Sequence, residues 1–298
     1  MSAVIIDGIK IAQDIRTEVS QSVNKLQSQF GIVPRLAVVL VGEDPASAVY
    51  IRSKERACLE VGIQSETFKL PQDTTQKDLL DQVDTLNNDT RVHGILVQLP
   101  LPTQLDERSI TLALNPQKDV DGLHRVNMGR LVEGDPLFVP CTPAGIQQLL
   151  MRTGHNPEGK HVVVCGRSEI VGKPISILMM QKREGANATV TICHTGTIDM
   201  AEITRSADIL VVAIGRPKII TSDMVKKGAV VIDVGINRVE DATRKRGYRI
   251  EGDVDFEGVS EKAAAITPVP GGVGPMTVAM LLLNTLKAAE RAVQEHDS

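Results

Sequence analysis

The sequence predicts an α/β protein of two domains, each built on a parallel sheet covered by helices. First, short Val/Ile-rich runs alternate with helical segments along the chain, as in sheets joined by right-handed crossovers. Second, a glycine-bearing turn joins a buried strand to a helix at the start of the second half. Third, the length of 298 residues suits two domains of average size.

The first half is predicted to be a doubly wound βα domain covering residues 1–140. Continuous apolar runs indicate buried parallel strands, and apolar residues three or four apart indicate helices. The predicted elements are strand Val4–Ile6, helix Asp7–Gln29, strand Leu36–Val41, helix Ser47–Val61, a weak strand Thr67–Leu70, helix Thr75–Leu86 and strand Gly94–Leu99. The Pro- and Cys-containing stretch Pro136–Pro143 marks the domain boundary, and a helix begins at Thr142-Pro143.

The second half is predicted to be a Rossmann-type dinucleotide-binding domain, residues 141–275. The run His161–Val164 reads as a buried strand, Gly166–Gly172 as a tight turn, and a helix begins near Lys173-Pro174. Unpaired N–H groups at that helix start would suit a phosphate. Three further strands follow at Ala188–Cys193, Asp208–Ile214 and Gly228–Val234. A last helix, Met276–Val293, is expected to cross back to the first domain, which adds residues 276–298 to it and gives the two domains a shared cleft.

The turn predicts NADP as the cofactor. It reads GxSxxxG, so Ser168 replaces the usual middle glycine, and alone it could equally be an ordinary strand–helix connection. An NAD site places a carboxylate at the end of the second strand, but here that strand ends in His194-Thr195-Gly196-Thr197. Arg167 lies in the turn near the expected ribose and could hold a 2′-phosphate, unless it is a solvated loop residue.

Composition excludes several other classes of protein. The chain is 42% hydrophobic with a net charge of −4, which gives no basic excess for nucleic acid. Four cysteines form no CxxC pair and indicate reduced thiols, and no stretch has signal-peptide or membrane-spanning length, so we expect a soluble cytoplasmic protein. Six histidines without HExxH spacing imply no metal. The basic segment 244–246 is expected to be a solvated hairpin tip.

Four polar residues in the first half are candidates for chemistry. Tyr50 and Lys54 stand four apart on one helix and share a face, although such a pair is more often a surface contact. Gln98 interrupts an apolar strand at its carboxyl end, where α/β proteins bind ligands, so a partner should meet its amide. In Asp119-Val120-Asp121-Gly122, the two carboxylates could instead form an Asx turn. The Pro270–Pro275 loop alternates proline with glycine, which suits a rigid ligand wall.

Five motifs together resemble the bifunctional methylenetetrahydrofolate dehydrogenase/cyclohydrolase family. They are VGEDPASAVYIRSKERAC, GILVQLPLP, KDVDG, GRSEIVGKP and TPVPGGVGPMT, in that order. The resemblance runs almost end to end, from Ile6-Asp7-Gly8 to the last helix. It implies NADP-dependent oxidation of 5,10-methylenetetrahydrofolate to the 5,10-methenyl form, then hydrolysis to 10-formyltetrahydrofolate. It also implies a homodimer formed through the cofactor domain.

The resemblance assigns a role to each matching residue. Tyr50 is similar to a tyrosine that stacks on the folate rings, Lys54 to a lysine central to both reactions, and Gln98 to its tuning partner. Asp121 matches an aspartate that grips the pterin. The implied catalytic residues are therefore Lys54, Gln98, Asp121 and Tyr50; the implied substrate-binding residues are these four with Val97, Leu99, Pro270, Gly271, Gly272, Val273 and Gly274; the implied cofactor-binding residues are Gly166, Arg167, Ser168, Gly172, Thr195 and Ile236.

Two departures from the family pattern and three alternatives stay open at this point. Arg56 stands where many members have Lys, and Thr195 where others carry Ser or Arg, so the strength of 2′-phosphate binding is unsettled. Lys54 could act as base, acid or water-orienting group. The alternatives are a shikimate-dehydrogenase-like NADP oxidoreductase, a non-catalytic NADP-binding regulator, and a dehydrogenase without cyclohydrolase activity.

Overall fold

The computed structural model describes residues 2–42, 45–244 and 247–296. In chain order the elements are β1 (Val4–Ile5), α1 (Gly8–Phe30), β2 (Arg35–Val41), α2 (Pro45–Val61), β3 (Gln64–Leu70), α3 (Gln76–Asn88), β4 (Gly94–Val97), α4 (Glu107–Ala113), α5 (Arg125–Glu133), α6 (Cys141–Arg152), β5 (His161–Cys165), α7 (Gly172–Met180), β6 (Thr189–Cys193), α8 (Met200–Arg205), β7 (Ile209–Val212), β8 (Val230–Asp233), β9 (Asn237–Glu240), β10 (Tyr248–Glu251), α9 (Phe256–Ser260), β11 (Ala265–Ile266) and α10 (Val273–His296). No helix in the described part of the chain has the length and apolar character needed to cross a membrane.

The chain divides into two compact units. The N-terminal unit contains residues 13–141 and 278–298, and the C-terminal unit contains residues 1–12 and 142–277. Each unit is built on a parallel sheet with connecting helices, which confirms the predicted α/β class. The break at 141/142 falls within the stretch Pro136–Pro143 that the sequence marked as a boundary.

The N-terminal unit has a three-stranded parallel sheet in the order β3-β2-β4. The central strand β2 is almost entirely buried, as its continuous Leu/Val run predicts. Strand β4 ends at Val97, two residues earlier than expected, so Gln98 and Leu99 follow the strand. An isolated parallel bridge between Ile95 and Asp119 brings the 119–122 loop alongside β4. The strand end and this loop therefore lie together.

The C-terminal unit has a six-stranded parallel sheet in the order β1-β11-β8-β7-β5-β6. The chain passes from β5 to β6 on one side and then crosses to β7 on the other, so the strand order reverses at β5. In open α/β sheets ligands bind outside the carboxyl ends of the strands at such a reversal. The glycine turn that begins at Gly166 follows β5 directly, which places it at this point. From β6 to β11 the order is 2-1-3-4-5, a doubly wound order with its ligand site at this reversal.

The first strand differs from its predicted domain. Residues 1–140 were expected to form one domain, but β1 pairs in parallel with β11, with Val4 opposite Ala265, and residues 1–12 group with the C-terminal unit. Helix α1 then carries the chain into the N-terminal unit. Local sequence shows that Val4 and Ile5 favour a strand but cannot show which sheet they join, because pairing depends on a partner far along the chain.

The last helix returns to the N-terminal unit, as predicted, although it is longer than expected and begins at Val273. Asn284 is buried within its apolar face. The side-chain amide donates hydrogen bonds to the carbonyl oxygens of Val120 at 2.8 Å and Val139 at 3.1 Å. These carbonyls belong to the segments on either side of the α5 region. One amide on the last helix thus fixes the backbone next to Asp121.

The remaining features are the two short helices α4 and α5 and one β-hairpin. The sequence did not predict α4 or α5, which start at the side-chain caps Asp106 and His124. A histidine cap is hard to recognise because its ring nitrogen must accept a hydrogen bond, here from the N–H of Val126. Strands β9 and β10 form an antiparallel hairpin, as expected around the basic tip, but Lys245 and Arg246 lie outside the described residues.

Replacing Asn284 with alanine should destabilise the protein by about 2 kcal/mol, because the carbonyl groups of Val120 and Val139 lose an amide donor. Urea unfolding followed by circular dichroism measures this change. Thr285→Val is the matched control, since the Thr285 hydroxyl bonds only to Leu281 O of the same helix, at 2.8 Å. It should cost below about 1 kcal/mol. Equal losses for the two variants would show that Asn284 does not fix the Val120 backbone.

Candidate active site

Helix α2 and the end of β4 bring Lys54 and Gln98 together. The Lys54 amine donates a 2.9 Å hydrogen bond from Nζ to Oε1 of Gln98. The Gln98 amide nitrogen Nε2 donates to the carbonyl oxygen of Leu99 at 2.7 Å, which fixes which end of the amide faces the lysine. The backbone N–H of Gln98 donates to Val39 O at 2.9 Å, so β2 holds the residue in place. Gln98 therefore presents an oriented acceptor to a single amine.

Burial lowers the pKa of the Lys54 amine below its ordinary value. The negative charge of Asp121 acts against this lowering. Because burial is the largest effect, the amine loses its proton more easily than a surface lysine does. The amine can therefore both accept and donate a proton nearer to neutral pH.

The two carboxylates of the 119–122 loop have different environments. Asp119 is buried, and its Oδ2 accepts hydrogen bonds from the backbone N–H of His124 at 2.7 Å and from the Asn127 amide at 2.8 Å. Burial raises the pKa of Asp119. This residue anchors the start of α5. Asp121 is half-buried, and its charge acts on both Lys54 and Cys141.

Asp121 shares a cavity with two of the predicted substrate-binding residues. Val97 and Leu99 line the same small cavity as Asp121. Of the six residues predicted in this unit, the structure thus brings Lys54 and Gln98 into contact and places Asp121 with Val97 and Leu99. Tyr50 lies one turn before Lys54 on α2, but its side chain is outside the described residues.

Two cysteines flank Lys54, and sequence reasoning assigned them no role in the site. Burial raises the pKa of the Cys58 thiol to about 12 and that of Cys141 well above its ordinary value. The Cys141 thiol donates to the carbonyl oxygen of Val120 at 3.4 Å. Cys58 could have been found, because it stands four residues after Lys54 on the same helix face. Both thiols therefore stay protonated near neutral pH.

In the C-terminal unit, two glycines of the turn after β5 leave no room for a side chain. Gly166 has φ +130°, and a Cβ there would lie 2.2 Å from the carbonyl oxygen of Ala213, in the loop after β7. A Cβ on Gly172 would lie 2.2 Å from the carbonyl oxygen of Gly166. The turn is therefore folded tightly at the reversal of strand order, and only glycine fits at both positions.

The helix that follows this turn does not offer the unpaired N–H groups that the sequence suggested. The Ser168 hydroxyl oxygen accepts hydrogen bonds from the N–H groups of Val171 at 3.2 Å and Gly172 at 3.3 Å. The N–H of Lys173 donates to the Ser168 carbonyl oxygen at 3.0 Å. The expectation of free donors was wrong because the serine in place of the middle glycine caps the helix itself.

The residues around the turn fit a dinucleotide that carries a 2′-phosphate. Arg167, Ser168 and Thr195 are exposed, and Thr195 lies in the turn after β6, where the Thr197 hydroxyl accepts the N–H of His194 at 2.9 Å. This turn contains no carboxylate that would repel a phosphate. Ile236, after β8, is also exposed. The Arg167 guanidinium and the hydroxyl groups of Ser168 and Thr195 are thus available in the turns after β5 and β6.

The proline–glycine loop is packed against the start of α1 within the C-terminal unit. Gly271 has φ +108°, and a Cβ on Gly272 would lie 2.6 Å from the Pro268 carbonyl oxygen. A Cβ on Gly8 would lie 1.8 Å from the Gly272 carbonyl oxygen, so the two segments are in backbone contact. Pro270 and Gly271 belong to the loop, whereas Val273 and Gly274 begin α10. Within the described ranges no group of three or more His, Cys, Asp or Glu residues is arranged to hold a metal ion.

Comparison with known proteins identifies close relatives of the whole chain. Residues 6–121 match the catalytic domain, and residues 140–293 the NAD(P)-binding domain, of tetrahydrofolate dehydrogenase/cyclohydrolase. The bifunctional protein FolD of Chlorobium luteolum is 59% identical over 290 residues, which cover 97% of this chain and 98% of that protein.

Solved structures show the same similarity. The bifunctional FolD enzyme of Campylobacter jejuni has a TM-score of 0.91 at 46% identity, covering 97% of this chain and 99% of that one. The Trypanosoma brucei enzyme, complexed with NADP cofactor and an inhibitor, has a TM-score of 0.93 at 40% identity, covering 99% of each chain.

None of the four cysteines should react with iodoacetamide in the native protein at pH 8. Cys58, Cys141, Cys165 and Cys193 are all buried and unpaired, and burial raises the pKa of each thiol, so thiolate is scarce. Mass spectrometry after labelling measures the outcome, and the same labelling in guanidinium, where all four should react, is the control. Rapid labelling of Cys58 or Cys141 in the native state would contradict the buried arrangement around Lys54.

Proposed function

The chain belongs to the tetrahydrofolate dehydrogenase/cyclohydrolase family, and on that premise we propose that it converts 5,10-methylenetetrahydrofolate to 10-formyltetrahydrofolate in two steps. The first step is an NADP-dependent oxidation to the methenyl form, and the second is hydrolysis. The observation that carries the proposal is the hydrogen bond between the partly buried Lys54 amine and Gln98, with Asp121 acting on the same amine. The family match also favours this function over a shikimate-type oxidoreductase or a binding-only regulator.

The oxidation requires alignment rather than a base. A hydride leaves the bridging carbon and the folate keeps a delocalised positive charge, so no proton is released; NADP supplies the hydride acceptor when bound. Under this proposal Asp121 binds the amidine edge of the pterin, and Tyr50 stacks on the folate rings. Val97 and Leu99 supply the apolar wall beside Asp121. Orientation of the reacting carbon accounts for most of the rate.

The hydrolysis requires proton transfer, which we assign to Lys54. Water adds to the cationic methenyl carbon and one C–N bond breaks. Of the two water protons, one moves to the departing nitrogen and the other is released to solvent, which leaves the neutral 10-formyl product. An ordinary lysine with a pKa near 10.4 is a poor base at neutral pH, but burial lowers the pKa of Lys54. The neutral amine of Lys54 would take one proton from the attacking water and donate it to the departing nitrogen. Gln98 would hold the amine in position through their hydrogen bond.

We assign the cofactor to the carboxyl edge of the C-terminal sheet. Gly166 and Gly172 allow close approach of the dinucleotide backbone, and Arg167, Ser168 and Thr195 bind the 2′-phosphate. Ile236, half-exposed, offers an apolar contact to the nicotinamide ring. The loop and helix start from Pro270 to Gly274 (Pro270, Gly271, Gly272, Val273 and Gly274) form a rigid wall against the folate. The folate-binding domain would be residues 13–140 with 276–298, and the cofactor domain would be residues 141–275 with residues 1–12 added.

We further propose a cytoplasmic homodimer that assembles through the C-terminal unit. Strand β6 is the edge of its six-stranded sheet, and Ile192 on that strand is partly exposed. Ile198, just beyond the strand, is 84% exposed. An open strand edge with apolar side chains is a common surface for association. Four free, buried cysteines suit a reducing compartment.

The function is tested by following methenyltetrahydrofolate absorbance with NADP and 5,10-methylenetetrahydrofolate. The wild-type protein should show formation and then decay of the methenyl form. Lys54→Gln should slow the decay at least about a hundredfold, because the proton-transfer group is lost, while the affinity for NADP stays unchanged.

Lys77→Gln is the control, since Lys77 lies on the exposed face of helix α3 in a surface ion pair with Asp81. It should behave as wild type. Absence of NADP-dependent methenyl formation in the wild type would reject the dehydrogenase, and undiminished hydrolysis by the Lys54 variant would reject its assigned role.

A further inference from the structure

Two buried aspartates in the C-terminal unit hold each other's segments. Oδ1 of Asp233, the last residue of β8, accepts hydrogen bonds from the N–H groups of Gly235 at 2.9 Å and Asp253 at 3.0 Å. Its Oδ2 accepts the N–H of Val254 at 2.9 Å. Asp253, which follows β10, is 0% exposed. The first carboxylate thus fixes the backbone that carries the second.

The Asp253 carboxylate reaches two further segments. Its Oδ2 accepts the N–H groups of Ile214 at 2.6 Å and Gly215 at 2.8 Å, both in the loop after β7. Its Oδ1 accepts a hydrogen bond from Nδ2 of Asn237 at 2.8 Å, at the start of β9. One side chain therefore joins the loop after β7 to the segment after β8.

Two glycines provide the space for these carboxylates in a reciprocal way. A Cβ on Gly252, next to Asp253, would lie 1.9 Å from Oδ2 of Asp233. A Cβ on Gly235, two residues after Asp233, would lie 2.3 Å from Oδ1 of Asp253. Each carboxylate packs against a glycine beside the other, so any larger residue would displace one of them.

Burial of two carboxylates lowers the stability of the fold, so their presence needs an explanation. In the part of the chain that the structure describes, the hydrogen-bond donors to both carboxylates are N–H groups, and none belongs to a lysine or arginine. Burial raises the pKa of Asp233 to about 6, and the charge of Asp253 adds to this effect. Apolar side chains would fill the same space without such a cost. What the carboxylates provide is a fixed position for several loop N–H groups.

The loops that they fix lie at the proposed cofactor site. Val212 and Asp233 are opposite each other in the sheet, so the loops after β7 and β8 begin side by side at its carboxyl edge. The loop after β7 also contacts the glycine turn, because Gly166 lies against the Ala213 carbonyl. Ile236 stands between Gly235 and Asn237, each of which bonds to one of the aspartates.

We propose that Asp253 is a positioning residue for the dinucleotide: it fixes the loop after β7 and the Ile236 segment, which together hold the nicotinamide end, and Asp233 keeps it in place. This inference rests on the proposed NADP-dependent function. It assigns Asp253 no contact with substrate. Its effect is confined to the step that needs the dinucleotide, and hydrolysis of the methenyl form is independent of it.

The bifunctional reaction supplies the test. Asp253→Asn keeps the size of the side chain. It places a second NH₂ group opposite the NH₂ group of Asn237, so the hydrogen bond between the two residues is lost. The KM for NADP in the dehydrogenase assay should rise at least about tenfold, since a loop displacement near 1 Å misplaces the cofactor. The rate of methenyltetrahydrofolate hydrolysis should stay within about twofold of wild type. The double variant Asn237→Asp/Asp253→Asn, which restores a donor opposite a carboxylate, should recover most of the NADP affinity.

Two further variants complete the design. Asp208→Asn is the matched control: Asp208 accepts the N–H of His161 at 2.9 Å and bonds Lys226 at the amino end of the same sheet, so neither activity should change. If Asp253→Asn is not folded, Asn237→Ala serves instead and should raise the KM for NADP about threefold.

The outcomes separate the two claims. Equal loss of both activities, or an unchanged KM for NADP in a protein whose wild type is active, would overturn the positioning role. A wild-type protein that forms no methenyltetrahydrofolate with NADP would instead overturn the proposed function.

Discussion

The placement of one partly buried amine opposite one oriented amide is the constraint on which the site depends. Lys54 donates to Gln98, and the other end of that amide is occupied by Leu99, so the pair has a single arrangement. Buried strand β2 holds Gln98 through Val39. A lysine surrounded by water would keep its proton at neutral pH. Partial burial in the N-terminal unit therefore prepares this side chain for proton transfer, because it lowers the pKa of the amine.

Carboxylates serve two different purposes in this molecule, and burial decides which. Asp119, Asp233 and Asp253 are buried, accept hydrogen bonds mainly from backbone N–H groups, and fix loops. Asp121 is only half-buried and acts on Lys54 through its charge. An aspartate that is surrounded by N–H groups thus fixes the backbone around it. An aspartate without such donors is available to a ligand.

Local sequence patterns predicted most of the helices and strands. The features that they missed depend on contacts between residues far apart in the chain. The continuous run of β2 and the glycines of the turn at Gly166 are readable because period and backbone freedom are local properties. Pairing of β1 with β11 and the bonds of Asn284 to Val120 join residues far apart in the chain. No local pattern specifies such partners. The expectation of free N–H groups at the start of α7 was wrong for a different reason, because the Ser168 hydroxyl accepts hydrogen bonds from Val171 and Gly172.

The most direct test of this account is the titration of Lys54 in the folded protein, followed by NMR with ¹³C-labelled lysine. The Lys54→Gln variant identifies the resonance by its loss. Because burial lowers its pKa, the Lys54 signal should change at lower pH than the signals of exposed lysines, whose pKa is near 10.4. A Lys54 signal that titrates together with the exposed lysines would contradict the claim that the fold prepares this amine for proton transfer.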